Sequence, residues 1–260
     1  MTDTLIILQA RTSSTRLPGK VLLPILDKPM LSHQIARLKG IKTAHKLIIA
    51  TSELESDDGI ADLCQALNVS CFRGSLDDVL DRYYQAAKAN NPNDTVKTIV
   101  RVTGDCPVID SEIIDKVIKL FHQSGADYCS NCDPATLPDG LDVEVFTFAA
   151  LTKAWHEAKK PSEREHVTPY IRNNKSIFTC ANYTHPNDLS HYRLTVDEGV
   201  DFELITQIYQ ALYPIKPTFN LSDIITLLQQ NPELGQLNQH IIRNEGLIKS
   251  ELADQEQHHD

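Results

Sequence analysis

Thr4-Leu5-Ile6-Ile7-Leu8-Gln9, running directly into Ala10-Arg11-Thr12-Ser13-Ser14-Thr15-Arg16-Leu17-Pro18-Gly19-Lys20, decides how the rest of the chain is read. The first run is apolar and β-branched, the pattern of a buried strand. It delivers Arg11, Arg16 and Lys20, with several small hydroxylated residues, into one loop. Small residues let backbone N–H groups approach an anion closely, and a polyphosphate needs such donors together with fixed cations. Gly19 can take a backbone angle closed to other residues and so turn Lys20 back toward the loop. The stretch is not a Walker A loop, because no Ser or Thr follows Lys20 and the earlier glycine is missing; no Gly-x-Gly-x-x-Gly occurs either. The plain alternative is a solvated cationic loop.

Outward from this unit, strand and helix patterns alternate. Strands are expected at His45–Thr51, Val69–Arg73, Thr95–Thr103 and Ala126–Ser130, and helices at Met30–Leu38, Ser56–Leu67, Leu76–Ala89 and Asp110–Phe121. This rhythm implies an α/β protein: a three-layer, mostly parallel twisted sheet with helices on both faces. Ligands then bind beyond the carboxyl ends of the strands, at Arg11–Lys20, Arg73–Asp78 and Gly104–Pro107. After Asn131 the rhythm changes. Pro134–Gly140 is turn-rich, and Leu141–Phe146 alternates as a strand with Asp142 and Glu144 on one face. A helix is expected at Phe148–Lys159, and Ser162 and Glu165 have the spacing of a capping box. Ser176–Tyr183 and Tyr192–Val196 are the last strand candidates, with helices at Asp201–Leu212 and Leu221–Gln230. One domain over residues 1–245 and a polar, fraying tail over 246–260 complete the expected organisation.

The 260 residues carry 25 Lys+Arg against 35 Asp+Glu, a net charge of −10, which argues against a nucleic-acid partner. No apolar run approaches the roughly 20 residues needed to span a bilayer. Met1-Thr2-Asp3-Thr4 lacks the basic region of a signal peptide, and the six cysteines form no disulfide frame, so a reducing cytoplasm is expected. Cys129-Ser130-Asn131-Cys132 has the spacing of a metal pair but no second pair, and reads as strand packing.

Two strand-end carboxylates stand out. Asp105, in Arg101-Val102-Thr103-Gly104-Asp105-Cys106-Pro107, sits where a metal–phosphate complex would need a ligand. Asp197 follows Arg193-Leu194-Thr195-Val196 in a similar context. The alternative for each is a helix cap. Glu163, Glu165 and His166 read either as metal ligands or a general base, or, from their place in a capping box, as helix initiation; Asp142 and Glu144 read either as a solvated strand face or as contacts to hydroxyls or an ammonium group.

Taken in order, these motifs resemble the cytidylyltransferases that activate acidic sugars, the CMP-KDO and CMP-sialic acid synthetases, and most closely the branch containing the spore coat polysaccharide biosynthesis protein SpsF. The matching pieces are Gln9–Lys20, Arg73–Tyr83, Val102–Pro107, Gly140–Phe146, Glu163–Tyr170 and Tyr192–Asp197. The resemblance implies a nucleotide-diphospho-sugar transferase fold of glycosyltransferase-A type. It implies transfer of CMP from CTP to a sugar with release of pyrophosphate, in surface polysaccharide or glycan biosynthesis. Arg11, Lys20 and Asp105 would be catalytic. Gln9, Ala10, Arg11, Arg16, Lys20, Arg73, Ser75 and Thr103 would bind nucleotide, and Asp142, Glu144, Glu165 and His166 the sugar. Asp105 and Asp197 would hold Mg2+. A homodimer is implied, with residues 132–146 as a dimerisation or acceptor insert. Competing readings are a glycosyltransferase of the same fold, which consumes a nucleotide-sugar, and a catalytically silent nucleotide-binding homologue.

Overall fold

A computed structural model describes residues 3–256. The chain runs β1 (Thr4–Gln9), β2 (Pro24–Ile25), β3 (Lys28–Pro29), α1 (Met30–Leu38), β4 (His45–Ser52), α2 (Asp58–Ala66), β5 (Ser70–Gly74) and α3 (Val79–Ala89). It continues through β6 (Thr98–Thr103), α4 (Ser111–Ser124), β7 (Tyr128–Ser130), β8 (Glu144–Thr147), α5 (Phe148–Glu157), α6 (Pro161–His166) and α7 (Pro169–Asn173). The last elements are β9 (Cys180–Asn182), α8 (Gly199–Leu212), α9 (Leu221–Gln230), α10 (Pro232–Gln236) and α11 (Glu245–Glu256).

Seven strands form one sheet in the order β5-β4-β1-β6-β8-β7-β9. β5, β4, β1 and β6 run parallel, and β8 is antiparallel to both its neighbours. Alternate residues of β1 feed different layers: Ile6 and Leu8 pack with α1, α4 and α8, whereas Leu5 and Ile7 pack with α3 and α5. Burial on both faces makes β1 a continuous apolar run, as a central parallel strand requires. The fold is therefore the α/β, mostly parallel arrangement with helices on both faces, and the carboxyl ends of β1 and β6 share one edge. Gly104 is needed there, since a Cβ would lie 2.9 Å from the Gln9 carbonyl oxygen and 3.0 Å from the Ala10 Cβ.

Four local expectations are corrected. Tyr192–Val196 is not a strand; it meets the turn-rich segment through a single bridge between Asp139 and Arg193. Only the end of Leu141–Phe146 joins the sheet, as β8, so Asp142 lies in irregular chain and does not share a strand face with Glu144. Pro161 opens α6, which moves the cap upstream of Ser162. The Glu163 carboxylate accepts from the Lys159 and Lys160 amides at 3.2 Å each, which leaves Glu165 uninvolved in capping. Finally, Glu245–Glu256 is a helix packed on α6, not a fraying tail; residues 257–260 of the expected tail lie outside the described residues. Within residues 132–146, Leu137, Leu141, Val143 and Val145 are buried in the chain's own core.

Candidate active site

The strand ends open into a cavity of about 510 Å3. Its walls include Gln9, Ala10, Arg11, Arg16, Lys20, Thr103, Asp105, Asp142, Glu144, Glu165, His166 and Asp197. These twelve come from five segments far apart in sequence, which the fold brings together. Arg73 and Ser75 stand outside the wall. The Arg73 guanidinium is spent on the Ser52 and Leu54 carbonyls and on Asp58, at 2.9, 2.8 and 2.6 Å. The Ser75 hydroxyl accepts from the Asp78 amide at 3.0 Å, and its carbonyl accepts from Arg82, which does reach the cavity.

The cationic loop is a built structure. Gly19, at φ +69°, precedes a single 3-10 turn over Lys20–Leu22 and sends the lysine inward. The Thr12 carbonyl accepts from Ser14 and Gly19 amides at 2.9 Å each. Beneath it, buried Asp57 accepts from the Thr12 amide at 2.8 Å and the Thr12 hydroxyl at 2.7 Å. The same carboxylate accepts from Thr51 and Ser52 at the end of β4. Burial alone would raise the Asp57 carboxyl, but hydrogen bonds from Ser52 and Thr12 outweigh it and hold it below the usual carboxylate range.

Lys20 is nearly buried, with its ammonium 2.9 Å from Asp197 and 3.5 Å from Asp105; it also donates to the Val196 carbonyl at 2.6 Å. Burial disfavours this charge, yet Asp105 and Asp197 outweigh it, so the ammonium is held above its ordinary value. Asp197 in turn faces Arg16 at 3.2 Å and Arg193 at 2.9 Å. Burial would raise its carboxyl, but Lys20 and Arg16 bring it below the usual range. Neither aspartate is a helix cap. Asp110 caps α4 by accepting from the Glu112 amide at 2.8 Å, while Asp201 accepts from the Asp197 and Glu198 amides at 2.9 and 3.0 Å.

At the other end of the cavity, Glu144 accepts from Tyr128 and Thr168 at 2.6 Å each and from Arg101. Burial works against its charge, and Arg101 with these hydroxyls more than compensates, so the carboxyl lies low. Asp142 is held by Arg243; burial nevertheless keeps its carboxyl above the ordinary value. Asp139, beside Arg193 at 2.7 Å, is pushed up to about 7, by burial first and then by Asp142. His166 is shifted down by burial, against Glu165.

Several wall residues carry no motif in the sequence. Arg101 sits mid-strand in β6 and is legible only once β8 is known to pair with β6 and set Glu144 opposite it. Arg172, Asn244, Glu245, Leu247 and Lys249 also line the cavity, the last four from the C-terminal segment. Arg193, tied to Asp139, Asp197 and Asp201, orients the carboxylates from below.

Among the described residues, no cluster of three or more His, Cys, Asp and Glu side chains could enclose a metal, and no helix is long and apolar enough to cross a membrane. A family profile described as cytidylyltransferase matches residues 5–245. The spore coat polysaccharide biosynthesis protein SpsF of Bacillus subtilis is 35% identical over 240 residues, covering 90% of this chain and 97% of that protein. The structure of a cytidylyltransferase from Leptospira borgpetersenii shares 36% identity, with a TM-score of 0.85 over 94% of this chain and 100% of the other. A CMP:2-keto-3-deoxy-manno-octonic acid synthetase complexed with CTP shares the fold at 15% identity, with a TM-score of 0.60 over 81% of this chain and 100% of the other. With the profile spanning nearly the whole chain and both relatives aligning end to end, the chain belongs to the cytidylyltransferase family.

Proposed function

We propose that the protein transfers CMP from CTP to an acidic sugar: a sugar oxygen bonds to the α-phosphorus, the bond to the β-phosphate oxygen breaks, and pyrophosphate leaves. The observation that carries this reading is the convergence of Lys20, Asp105 and Asp197 at the mouth of β1 and β6. Transfers of this kind need positioning and charge neutralisation more than covalent help from the protein. Arg11, Arg16 and Lys20 form the cationic wall for the triphosphate. Gln9, Ala10 and Thr103 lie at the ends of the two strands, next to that wall, where the base would rest.

The residues present fit a divalent cation. Asp105 and Asp197 both reach the Lys20 ammonium, so the two carboxylates stand close together, and each side chain keeps some exposure, 28% and 22%. Two hard oxygen donors with an open side suit Mg2+, which usually completes its shell with water and substrate phosphates. Asp105 and Asp197 would hold it, and the ion would neutralise triphosphate charge. The acidic-sugar assignment draws on a 3-deoxy-manno-octulosonate cytidylyltransferase of Mesorhizobium japonicum, 34% identical over 127 residues, 48% of this chain. The chain itself offers Arg101, Arg172 and Lys249 on the acceptor side.

The test is a nucleotide-by-sugar screen that reads pyrophosphate with Mg2+ present. Release from CTP with an acidic sugar, and not from ATP, GTP or UTP, is expected. Sugar transfer from a preformed nucleotide-sugar without pyrophosphate formation would overturn the reading.

A further inference from the structure

Two residues of the cavity wall and one behind it form a hydrogen-bonded triangle at the acceptor end. The Ser250 hydroxyl of α11 lies 3.0 Å from Glu165 Oε2 and 3.0 Å from the Gly246 carbonyl. His166 Nε2 lies 3.0 Å from the same hydroxyl and 3.7 Å from Glu165. Glu165 and His166 line the cavity; Ser250 does not.

The chemistry of the donors fixes the protons. A carboxylate and a backbone carbonyl can only accept, so the single hydroxyl hydrogen of Ser250 is directed to one of them. With the hydroxyl hydrogen given to Glu165 or Gly246, the contact to His166 is satisfied when the imidazole donates, which is the Nε2–H tautomer. Nδ1, for which no described residue is a hydrogen-bond partner, is then an acceptor.

The backbone at the same place is strained. Val167 is a fully buried, β-branched residue at φ +73° and ψ −55°, with the Thr168 amide donating to the His166 carbonyl at 2.9 Å. This is a γ-turn of the rarer kind, and a positive φ on a β-branched valine is a strained outlier. Such strain persists where the surroundings over-determine it, and here it sets His166 and Thr168 on the cavity wall, the latter bonded to Glu144.

We propose that Ser250 of the C-terminal helix is a positioning residue for the acceptor side of the cavity: it fixes His166 as the Nε2–H tautomer and holds Glu165, so that the imidazole Nδ1 accepts from a hydroxyl of the sugar. The kinetic consequence rests on the reaction proposed above; the tautomer does not.

Long-range 1H–15N spectra of the full chain, with His166 assigned against His166→Gln, test the tautomer directly. The wild type is expected to carry its proton on Nε2. Ser250→Ala is expected to speed solvent exchange of that proton at least about tenfold, and Ser250→Thr to restore it. A proton on Nδ1 in the wild type, or a Ser250→Ala spectrum identical to wild type, would overturn the proposal. With the acceptor that the screen identifies, Ser250→Ala should raise the acceptor KM about three- to tenfold, the size of one hydrogen bond, and leave the CTP KM unchanged. Equal rises in both constants would reduce α11 to a scaffold and also count against it. If no sugar releases pyrophosphate, the reaction is at fault, while the spectra still judge Ser250.

Discussion

Asp57 shows how a single carboxylate shapes the nucleotide side. It lies outside the cavity, yet it accepts from both the amide and the hydroxyl of Thr12 and so fixes the first turn of the cationic loop. In the sequence it reads as a favourable charge at the start of α2; its partner Thr12 sits 45 residues away, and the contact becomes visible only once β1 and β4 pair. Asp57→Asn should lower stability by about 2–4 kcal/mol at neutral pH, because an amide presents a donor to buried donors. Since the folded-state value is depressed, this contribution is complete above the ordinary carboxylate value, near pH 4, and is lost as pH falls through the folded-state value. Chemical denaturation from pH 7 downward should therefore show the gap between wild type and variant closing below about pH 4. A gap constant with pH would mean that the Asp57 carboxyl titrates alike in the folded and unfolded protein, which would contradict its depressed value.

At the scale of elements, the strands and helices around β1 follow from periodicity because each is buried on a defined face. What lies beyond β7 is less legible for identifiable reasons. Tyr192–Val196 has the composition of a strand, but Arg193 turns inward to Asp139 and Asp201, and that ion cluster replaces ladder pairing. The α11 residues carry no apolar stripe; Leu252 and Ile248 face solvent, and the helix is held by polar ties instead. These are Ser250 to Glu165, the Ser162 amide to Asp254, and Glu245 to Arg16 at 3.0 Å. Polar ties between segments so far apart in sequence leave no periodic trace. The last of them occupies one of the cations assigned to the triphosphate. Glu245→Gln should therefore remove one of the carboxylates that hold Arg16 and lower the KM for CTP about two- to fivefold, in line with a partly exposed ion pair, with no change in kcat. A raised KM for CTP would mean that Glu245 helps to shape the nucleotide side and does not compete with it.

Across the whole molecule, the sheet edge determines which distant groups meet. The loop after β1, the Gly104 turn after β6 and the segment ending at Asp197 arrive together because β1 and β6 are neighbours and the Val196 amide bonds to the Asp105 carbonyl at 2.8 Å. The motifs marked Lys20, Asp105 and Asp197 individually; their convergence is a property of strand order, which periodicity does not specify. The same edge puts Arg73 and Ser75 just outside the cavity, with Arg82 reaching in from behind them. Calorimetric titration of CTP with saturating Mg2+ into the wild type, Lys20→Ala and Asp105→Ala tests this convergence most directly. The account predicts saturable one-to-one binding to the wild type, weakened at least about tenfold in either variant while the thermal midpoint stays within a few degrees. Wild-type Kd values in both variants would contradict it.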